Sequence, residues 1–424
     1  MVKCIGVLTS GGDAPGMNAA VRAVARTCLN KGIEVYGVKL GYKGLHDGEF
    51  IKFDRHSTRN IINIGGTMLK SARFPEFKDP EVRKEAIEKM KEVGMEALVV
   101  IGGDGSYNGA LKLTEMGINC IGIPGTIDND INGTDETIGF HTALYNIIDA
   151  VNKLRDTSSS HHRCFVVEVM GNHADNLAIY AAIACGSEIV ITDKTEYDEN
   201  KIIEELKICE EEYHKKHAII IVSEKILDVE KLANRISEET GYSGRSIVLG
   251  HIQRGGSPVP EDRILASKMA EEAICLLEKR KSGLCICMKD NQIISKNIEE
   301  ALIEKNENHD RLYQLFLDLA YGEDMKKILF SDIDGTIAND NLPITYKDQE
   351  AVKKLRTQGH YFSFCTGRNI QETKLVTPHF EYDYLVLNNG AMIVDQNDQV
   401  LYRKQIKNEI AKEILKESYQ KYPY

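Results

Sequence analysis

Short apolar runs alternate along most of the chain with stretches whose apolar residues recur at the spacing of a helix. The first run, CIGVLTS, ends at the glycines of GGDAPG, and we expect a helix from Pro15 with its apolar face at Ala19, Ala20, Ala23 and Val24. Strand, glycine turn and helix recur in EALVVIGGDGSYNGALKL and CFVVEVMGNHADNLAIYAAI. Further apolar runs open CIGIPGTIDNDING, AIIIVSEK and SIVLGHIQRGGSPVPEDR. This alternation predicts an α/β fold around a mostly parallel sheet.

Acidic residues, glycines and arginines follow directly on these apolar runs. Because the carboxyl ends of parallel strands share one edge of a sheet, we expect the ligand site at that edge. A glycine turn before a helix lets backbone amides approach a phosphate. A tight turn alone also favours glycine, since it needs positive φ. The glycines by themselves therefore leave both interpretations open.

Composition narrows the class of protein. The formal net charge is −11 and no dense lysine or arginine tract occurs, which argues against nucleic acid as a partner. A local arginine cluster would still allow an anionic substrate. No apolar run approaches the roughly 20 residues that cross a bilayer, and no secretory signal precedes the first strand. We therefore expect a cytoplasmic protein with ten reduced cysteines, of which Cys285 and Cys287 alternate along a strand rather than hold a metal.

A series of stretches resembles bacterial ATP-dependent 6-phosphofructokinase in order and spacing: TSGGDAPGMNAAVR, GGTMLKSARFPEF, VVIGGDGSYNGA, GIPGTIDNDINGTDETIGF, LRDTSSSHHR, VEVMG and VLGHIQRGGSPVPEDR. The resemblance covers residues 1–322. It implies a phosphofructokinase fold of two Rossmann-like three-layer lobes, the first from 1–139 plus 252–302 and the second from 140–251 plus 303–322. It also implies the committed step of glycolysis, in which ATP phosphorylates the 1-hydroxyl of fructose 6-phosphate to give fructose 1,6-bisphosphate.

Phosphoryl transfer needs a base for the hydroxyl proton, an aligned nucleophile and neutralisation of the moving charge. The resemblance implies that Asp128 takes the proton, that Thr126 and Asp130 hold the substrate, and that Arg73 reaches the transferring phosphate. Asp104 would position Mg²⁺ through the ATP phosphates. A single carboxylate suits Mg²⁺, because this cation keeps most of its water.

The resemblance also implies the remaining ligand contacts. The nucleotide would contact Gly12, Arg73, Phe74, Gly103, Asp104, Gly105 and Ser106. Fructose 6-phosphate would contact Thr126, Ile127, Asp128, Asp130, Arg163, Met170, Gly171, Asn172, Glu224, Arg245, His251 and Arg254. Arginine's planar fork suits a sugar phosphate better than lysine's point charge. Arg163 would reach into the site of a neighbouring subunit, so a homotetramer with two-fold interfaces is expected.

Two glycines bear on the phosphoryl donor. ATP-dependent members of the family resemble this chain in carrying glycine at Gly105 and Gly125, whereas pyrophosphate-dependent relatives tend to carry Asp and Lys there. A larger polar pair would fill the space that the nucleotide's α-phosphate needs. We therefore expect ATP as the donor, with a pyrophosphate-dependent kinase as the alternative.

The stretch VMGNHADN departs from the family pattern. Asn172 replaces an arginine that faces the reacting phosphate, Asp175 replaces a glycine, and Asn176 replaces an aspartate. Loss of a cation beside developing negative charge weakens transition-state stabilisation. A catalytically weak regulatory subunit is therefore a second alternative, beside simple variation in which Asn172 still donates a hydrogen bond.

A further group of residues matches the family's effector site, where ADP activates and phosphoenolpyruvate inhibits. Arg22 and Arg26 lie four apart on the first predicted helix and so share a face. With them match Arg55, Arg155, Glu188, Lys215 and Lys216. Tyr213 stands where a lysine is often found. Effector binding is therefore expected, and the direction of regulation is left open.

The chain changes character after residue 322. MKKILFSDIDGTI, HYFSFCTGRNI and YLVLNNGAMIVD resemble the start of a haloacid-dehalogenase-type sugar phosphatase, with Asp332 as nucleophile, Asp334 as acid/base and Thr366 as a phosphate-binding hydroxyl. No match follows for that family's lysine or for its acidic metal-binding loop. We therefore expect an incomplete Rossmann-like fragment at 325–424 without phosphatase activity. A joined reading frame that begins at Met325 is a simpler account than a working fusion.

Overall fold

The computed structural model describes residues 2–158, 162–172, 174–195, 197–211, 214–303, 309–321, 327–338, 345–357, 359–378 and 380–421. The chain forms two compact units, Met1–Ala320 and Tyr321–Tyr424. Tyr213 and the junction at residues 322–326, on which the sequence analysis placed expectations, lie outside the described residues.

The larger sheet of the first unit has eight strands: β1 (Cys4–Thr9), β2 (Glu34–Val38), β3 (Phe50–Lys52), β4 (Ala97–Gly102), β5 (Asn119–Thr126), β6 (Ile138–Gly139), β11 (Leu284–Lys289) and β12 (Gln292–Asn297). Its order is β12-β11-β5-β4-β1-β2-β3, with β6 paired to β5. Strands β2, β1, β4, β5 and β11 run parallel, and antiparallel β3 and β12 close the two edges. The chain leaves β1 towards β2 and leaves β4 towards β5, so the connections diverge between β1 and β4 and open a crevice there.

The smaller sheet has four parallel strands, β7 (Arg163–Val169), β8 (Ile189–Ile191), β9 (His217–Ser223) and β10 (Ser243–Val248), in the order β10-β7-β9-β8. The chain leaves β7 towards β8 and leaves β9 towards β10. The connection from β7 therefore passes beyond β9, and the connection from β9 passes beyond β7, so these two connections run towards each other.

Helices connect and cover these strands: α1 (Met17–Asn30), α2 (Gly41–Asp47), α3 (Pro80–Glu92), α4 (Asp104–Glu115), α5 (Phe140–Ser158), α6 (Asn176–Cys185), α7 (Glu199–Glu211), α8 (Val229–Glu239), α9 (Pro260–Glu278), α10 (Ile298–Ile303) and α11 (His309–Tyr321). Short 3₁₀ turns span Pro75–Lys78 and Gly250–Arg254. The predicted start of the first helix at Pro15 was wrong, because the turn continues through Gly16 at a φ of 104° and α1 begins at Met17.

Alternate residues of the strands feed different cores. On β4, Val99 and Ile101 belong to a core that also receives Phe165 and Val167 of β7, so one apolar layer lies against both sheets. Leu98 and Val100 belong to a second core on the outer face of the larger sheet. Cys164 and Val166 belong to a third core on the outer face of the smaller sheet. The alternation explains why β4 is buried along its whole length.

The second unit holds a five-stranded sheet in the order β13-β14-β15-β16-β17, formed by β13 (Ile328–Ser331), β14 (Tyr361–Cys365), β15 (Tyr384–Leu387), β16 (Met392–Asp395) and β17 (Val400–Arg403). Its helices are α12 (Tyr346–Thr357), α13 (Ile370–Val376) and α14 (Asn408–Lys421). The edge strand β13 leaves Ile328, Leu329 and Phe330 exposed, and α14 has no buried residue. Within the described helices of the chain, none combines the length and apolar character needed to span a bilayer.

Candidate active site

The first glycine turn lies at the crevice of the larger sheet. The Ser10 amide donates to the Ile101 carbonyl oxygen at 3.0 Å, which holds the turn after β1 against the end of β4. The Ser71 hydroxyl donates to the Gly11 carbonyl oxygen at 2.8 Å, and Arg73 and Phe74 follow in that segment. The turn is thus fastened on two sides while Gly12 and Asp13 remain exposed.

Gly12 lies against the end of a neighbouring arginine side chain. The Arg254 guanidinium donates through Nη1 to the Asp13 carbonyl oxygen at 2.9 Å. A Cβ atom added at Gly12 would lie 2.7 Å from the same Nη1. Any larger residue would therefore displace Arg254, which links the 3₁₀ turn after β10 to the turn after β1.

The second glycine turn delivers carboxylate and amide groups at the start of α4. Gly103 precedes the helix, and Asp104 is its first residue, so Asp104, Gly105 and Ser106 form the first helical turn. Partial desolvation raises the pKa of the Asp104 carboxyl group. A Cβ atom added at Gly105 would meet no atom within 4 Å. The amino end of α4 therefore faces open space, as an anion site needs.

Asp128 lies in the loop that leaves β5. Its backbone amide donates to the Thr126 hydroxyl oxygen at 3.2 Å, and that hydroxyl donates to Asp128 Oδ2 at 3.4 Å. The Thr137 hydroxyl holds the Thr126 carbonyl oxygen at 2.7 Å. The Asp128 side chain is 7% exposed, and its Oδ1 atom has no hydrogen-bond partner among the described residues. One carboxylate oxygen is therefore available to a ligand proton.

Burial raises the pKa of Asp128 to about 6, and the charges of Asp130 and Glu224 act in the same direction. Arg254 and the Thr126 hydroxyl act in the opposite direction. Burial also raises the pKa of Asp130, and Asp104 contributes. These electrostatic contacts bring Asp104, Asp130, Asp128 and Glu224 into one acidic cluster. A carboxylate with a pKa near the working pH is suited to general base catalysis.

The smaller sheet supplies Glu224 and the loop after β7. Glu224 Oε1 accepts hydrogen bonds from the backbone amides of Asn172 at 3.0 Å and Gly171 at 3.4 Å. The Gln253 side chain accepts from the Met170 amide at 3.2 Å. The loop after β7 is thus held by residues that follow β9 and β10. Asn172 has a left-handed backbone, with a φ of 44°.

Asn176 joins the two sheets at the Asp128 loop. Its side-chain amide donates to the Asn129 carbonyl oxygen at 2.8 Å and to the Asp128 carbonyl oxygen at 3.4 Å. An aspartate at this position could not donate either bond. The neighbouring Asp175 is almost fully buried and lies 3.4 Å from Lys194 Nζ. Sequence reasoning noted Asn176 and Asp175 as departures but missed the contacts that they form, and it missed Gln253 altogether.

Arg163 and Arg245 do not join this cluster within one chain. Arg163 begins β7, whereas Met170, Gly171 and Asn172 follow its last residue, so a strand length of about 20 Å separates them. Arg245 pairs in register with Phe165 on β10, beside the same amino end of β7. The two arginines therefore lie near each other at the opposite end of the sheet from Glu224.

The remaining predicted residues differ in their exposure. Ile127, which precedes Asp128, is buried, while Arg73 is exposed and His251 lies exposed in the 3₁₀ turn that contains Arg254. Phe74 packs against His46, with ring centroids 5.5 Å apart. Among the described residues, neither Arg73 nor His251 forms an ion pair with a carboxylate.

The predicted effector residues form two groups in one chain. Arg22 and Arg26 lie together on α1, where burial and then the charge of Arg26 lower the pKa of Arg22; Arg55 is exposed on the loop after β3. In the second group Arg155 donates to the Cys185 carbonyl oxygen at the end of α6, and Lys215 lies 3.4 Å from Glu188, with exposed Lys216 following. No contact between described residues joins the two groups.

The acidic cluster fits Mg²⁺ better than a metal that needs three or more protein ligands. Among the residues that the structure describes, no group of three or more His, Cys, Asp and Glu side chains is arranged to hold a metal by itself. Mg²⁺ bound mainly by water and phosphate oxygens needs only one or two carboxylates. Asp104 lies close enough to Asp130 to raise its pKa, so these two carboxylates fit such a site.

In the second unit, Arg368 forms an ion pair with Asp334, the residue predicted to be the acid/base. Arg368 donates through Nε to Asp334 Oδ2 at 2.8 Å and through Nη2 to Asp334 Oδ1 at 2.5 Å. These hydrogen bonds and the charge of Arg368 lower the pKa of Asp334. Thr366 is buried, and its hydroxyl accepts from the Arg368 amide at 3.2 Å. A carboxylate that is tied in this way is a poor proton donor.

A mostly parallel sheet with a ligand crevice at its carboxyl edge, a second parallel sheet, and an acidic cluster around the buried Asp128 beside glycine turns define an α/β enzyme of the phosphoryl-transfer class. A family model described as phosphofructokinase matches residues 4–277. The ATP-dependent 6-phosphofructokinase of Edwardsiella ictaluri is 54% identical over 302 residues, which are 71% of this chain and 94% of that protein. The enzyme of the same name from Vibrio campbellii is 54% identical over 322 residues, 75% of this chain and 100% of that protein.

The phosphofructokinase structure from Saccharomyces cerevisiae is 30% identical with a TM-score of 0.69, and it covers 90% of this chain. This chain spans 59% of that yeast protein's length. The chain belongs to the phosphofructokinase family. The predicted family and fold class are thereby confirmed. A family model described as haloacid dehalogenase-like hydrolase matches residues 329–423, which confirms the predicted resemblance of the carboxyl-terminal segment.

Proposed function

We propose that the first unit phosphorylates the 1-hydroxyl of fructose 6-phosphate with ATP and Mg²⁺, giving fructose 1,6-bisphosphate and ADP. The observation that carries this proposal is the buried Asp128 carboxylate, with a pKa of about 6, between the glycine turns and the loop after β7. The family and the names of its bacterial relatives support these substrates.

In the proposed mechanism, Asp128 accepts the proton of the attacking hydroxyl through its free Oδ1 atom. Thr126 orients the carboxylate, and Glu224 receives the sugar hydroxyls near Asn172. Gly12, Gly103 and the amino end of α4 bind the nucleotide phosphates, and Arg73 reaches the moving phosphoryl group. Mg²⁺, when bound by Asp104 and the phosphates, supplies neutralisation of charge.

ATP is proposed as the donor because of the two glycines. Gly105 opens on free space, so a nucleotide phosphate can approach the start of α4. Gly125 is packed, since an added Cβ would lie 3.0 Å from Ile101 Cγ2 and 3.2 Å from Met17 Cε. A lysine at this position would need the core around β4 and α1 to shift.

The site is proposed to be completed between subunits of a cytoplasmic homotetramer. Arg163 and Arg245 lie too far from Asp128 to serve it in the same chain, and their arginine forks suit the 6-phosphate of a neighbour's substrate. The two groups of effector residues would likewise meet across a boundary, where ADP and phosphoenolpyruvate bind and regulate glycolysis. The two lobes are proposed at 1–139 plus 252–302 and 140–251 plus 303–322.

The experiment that tests the proposal measures fructose 1,6-bisphosphate formation by the full chain from fructose 6-phosphate. MgATP is expected to support turnover, and pyrophosphate at the same concentration is expected to support little. Turnover with pyrophosphate but not with ATP would show that pyrophosphate is the phosphoryl donor. Absence of product with either donor would overturn the proposed function.

A further inference from the structure

A lysine lies beside the position where the loop after β7 approaches the acidic cluster. Lys225 follows Glu224 directly, and its Nζ atom lies 3.5 Å from the side-chain oxygen of Asn172. Glu224 in turn accepts the backbone amide of Asn172. Lys225 and Asn172 are therefore neighbours on the rim of the proposed catalytic site.

The backbone at both residues is uncommon. Lys225 has a φ of 68° and Asn172 a φ of 44°, and residues other than glycine rarely adopt this region. Asparagine tolerates it through local hydrogen bonding, whereas lysine gains nothing of that kind. Both left-handed residues lie within three residues of the ends of the neighbouring parallel strands β7 and β9, and there Lys225 Nζ lies 3.5 Å from Asn172 Oδ1.

The charge around this point is unbalanced. Asp104, Asp128, Asp130 and Glu224 place carboxylates close enough to affect one another's pKa, and Arg254 is the cation that lowers the pKa of Asp128. The Lys225 side chain is exposed and forms no ion pair with a carboxylate among the described residues. It is a cation with capacity for an anionic ligand at a site where a negatively charged group must be transferred.

We propose that Lys225 donates to the phosphoryl group in transfer, with Asn172 holding its ammonium group, and thereby supplies the positive charge that the Asn172 side chain lacks. This inference rests on the proposed function. The same contact persists in the product, because the group then forms the 1-phosphate of fructose 1,6-bisphosphate. Fructose 6-phosphate, which lacks this phosphate, does not use Lys225.

Calorimetric binding to the full chain tests the contact without turnover. Lys225→Met keeps the length of the side chain and removes its charge, and the expected result is roughly 10-fold weaker binding of fructose 1,6-bisphosphate with unchanged binding of fructose 6-phosphate. Lys225→Arg should bind both as the parent does. Lys268→Met, an exposed lysine on α9, is the matched control and should change neither affinity. Equal weakening for both sugars, or for neither, would overturn the assignment.

Steady-state kinetics supplies a second test. Lys225→Met should lower kcat about 10–100-fold with little change in the KM for ATP. Adding Asn172→Arg in the same chain should recover at least 5-fold of the loss, because the guanidinium restores a cation at the same point. A structural role for Lys225 predicts no recovery. If the parent forms product and Lys225→Met keeps its kcat, only the Lys225 inference fails; a parent without activity with either donor fails the proposed function and this inference together.

Discussion

Arg254 and Asp13 are joined by a hydrogen bond from the guanidinium Nη1 to the backbone carbonyl oxygen, 2.9 Å long. The contact fastens the 3₁₀ turn after β10 to the glycine turn after β1. It also leaves the charge of Arg254 close enough to lower the pKa of Asp128. One side chain therefore shapes the nucleotide turn and adjusts the proposed base.

The pH dependence of kcat/KM should reflect the neighbouring charges that raise and lower the pKa of Asp128. Because the base must be ionised, activity should rise with pH through the Asp128 pKa of about 6 and level off above it. Asp130→Asn removes the neighbouring charge that raises this pKa most, so the rising limb should move to lower pH. Arg254→Met removes a charge that lowers it, so the limb should move to higher pH.

Initial rates from pH 4.5 to 8 at subsaturating fructose 6-phosphate measure these limbs. Lys268→Met is the control and should retain the parent profile. Limbs that stay together in all variants would show that Asp128 does not control the rate.

Burial of the Asp128 carboxylate should make the active enzyme less stable than its amide variant. The pKa rises from 3.8 to about 6 on folding, so the folded state holds the proton more tightly. The associated stability is full below pH 4 and is lost as pH rises to 6. At pH 7, Asp128→Asn should therefore raise the free energy of unfolding by about 1–3 kcal/mol.

Urea denaturation of parent and Asp128→Asn at pH 7 and pH 4 measures this effect. The difference should be present at pH 7 and should shrink at pH 4, where both side chains are neutral. Equal stabilities at pH 7 would mean that the carboxylate is well solvated or paired.

Gly105 and Gly125, on which the choice of ATP as phosphoryl donor rests, should respond differently to substitution. Gly105→Asp adds a carboxylate in open space at the first turn of α4, where it is compatible with the helix, so the Tm should be unchanged. Its charge should repel the nucleotide and raise the KM for ATP more than 10-fold. Gly125→Lys crowds Ile101 and Met17, so it should lower the Tm as well. Thermal unfolding and ATP kinetics of the two variants check this; unaltered ATP kinetics in Gly105→Asp would exclude Gly105 from the nucleotide site.

A site that is shared between subunits should show complementation. Asp128→Asn and Arg163→Ala should each be nearly inactive alone. After denaturation and joint refolding, mixed oligomers should recover part of the parent kcat, because an intact Asp128 can meet an intact Arg163 from another chain. Arg245→Ala should behave like Arg163→Ala. Mixtures no more active than the sum of their parts would mean that each chain builds its site alone.

The strands, the glycine turns and the string GTIDND were predictable because each depends on residues adjacent in sequence. A buried strand followed by glycine and aspartate carries its own signal, and β4 followed by Asp104 is an example. The position of Arg163 at the opposite end of β7 from Asn172 was also implicit in the sequence. A strand of this length separates its first residue from the loop that follows its last residue. Arg245 needed the register of β10 against β7, which the sequence alone does not provide.

Contacts between distant segments were not predictable. The Asn176 amide and the Asn129 carbonyl oxygen are 47 residues apart and meet only because two sheets share one apolar layer. The raised pKa of Asp128 likewise arises from burial, which depends on the assembled fold. In the second unit, the motif SDIDGT indicated Asp332 and Asp334 as candidate catalytic residues. Nothing in its spacing indicated that Arg368 would pair with Asp334.

The central claim is that Asp128 is the base for phosphoryl transfer from ATP to fructose 6-phosphate. The most direct measurement is kcat for fructose 1,6-bisphosphate formation by the full chain and by Asp128→Asn at pH 8 with saturating MgATP. The parent should turn over, and Asp128→Asn should be slower by about 10²–10⁴-fold with KM values changed only slightly. A variant with kcat within a few-fold of the parent would contradict the assignment.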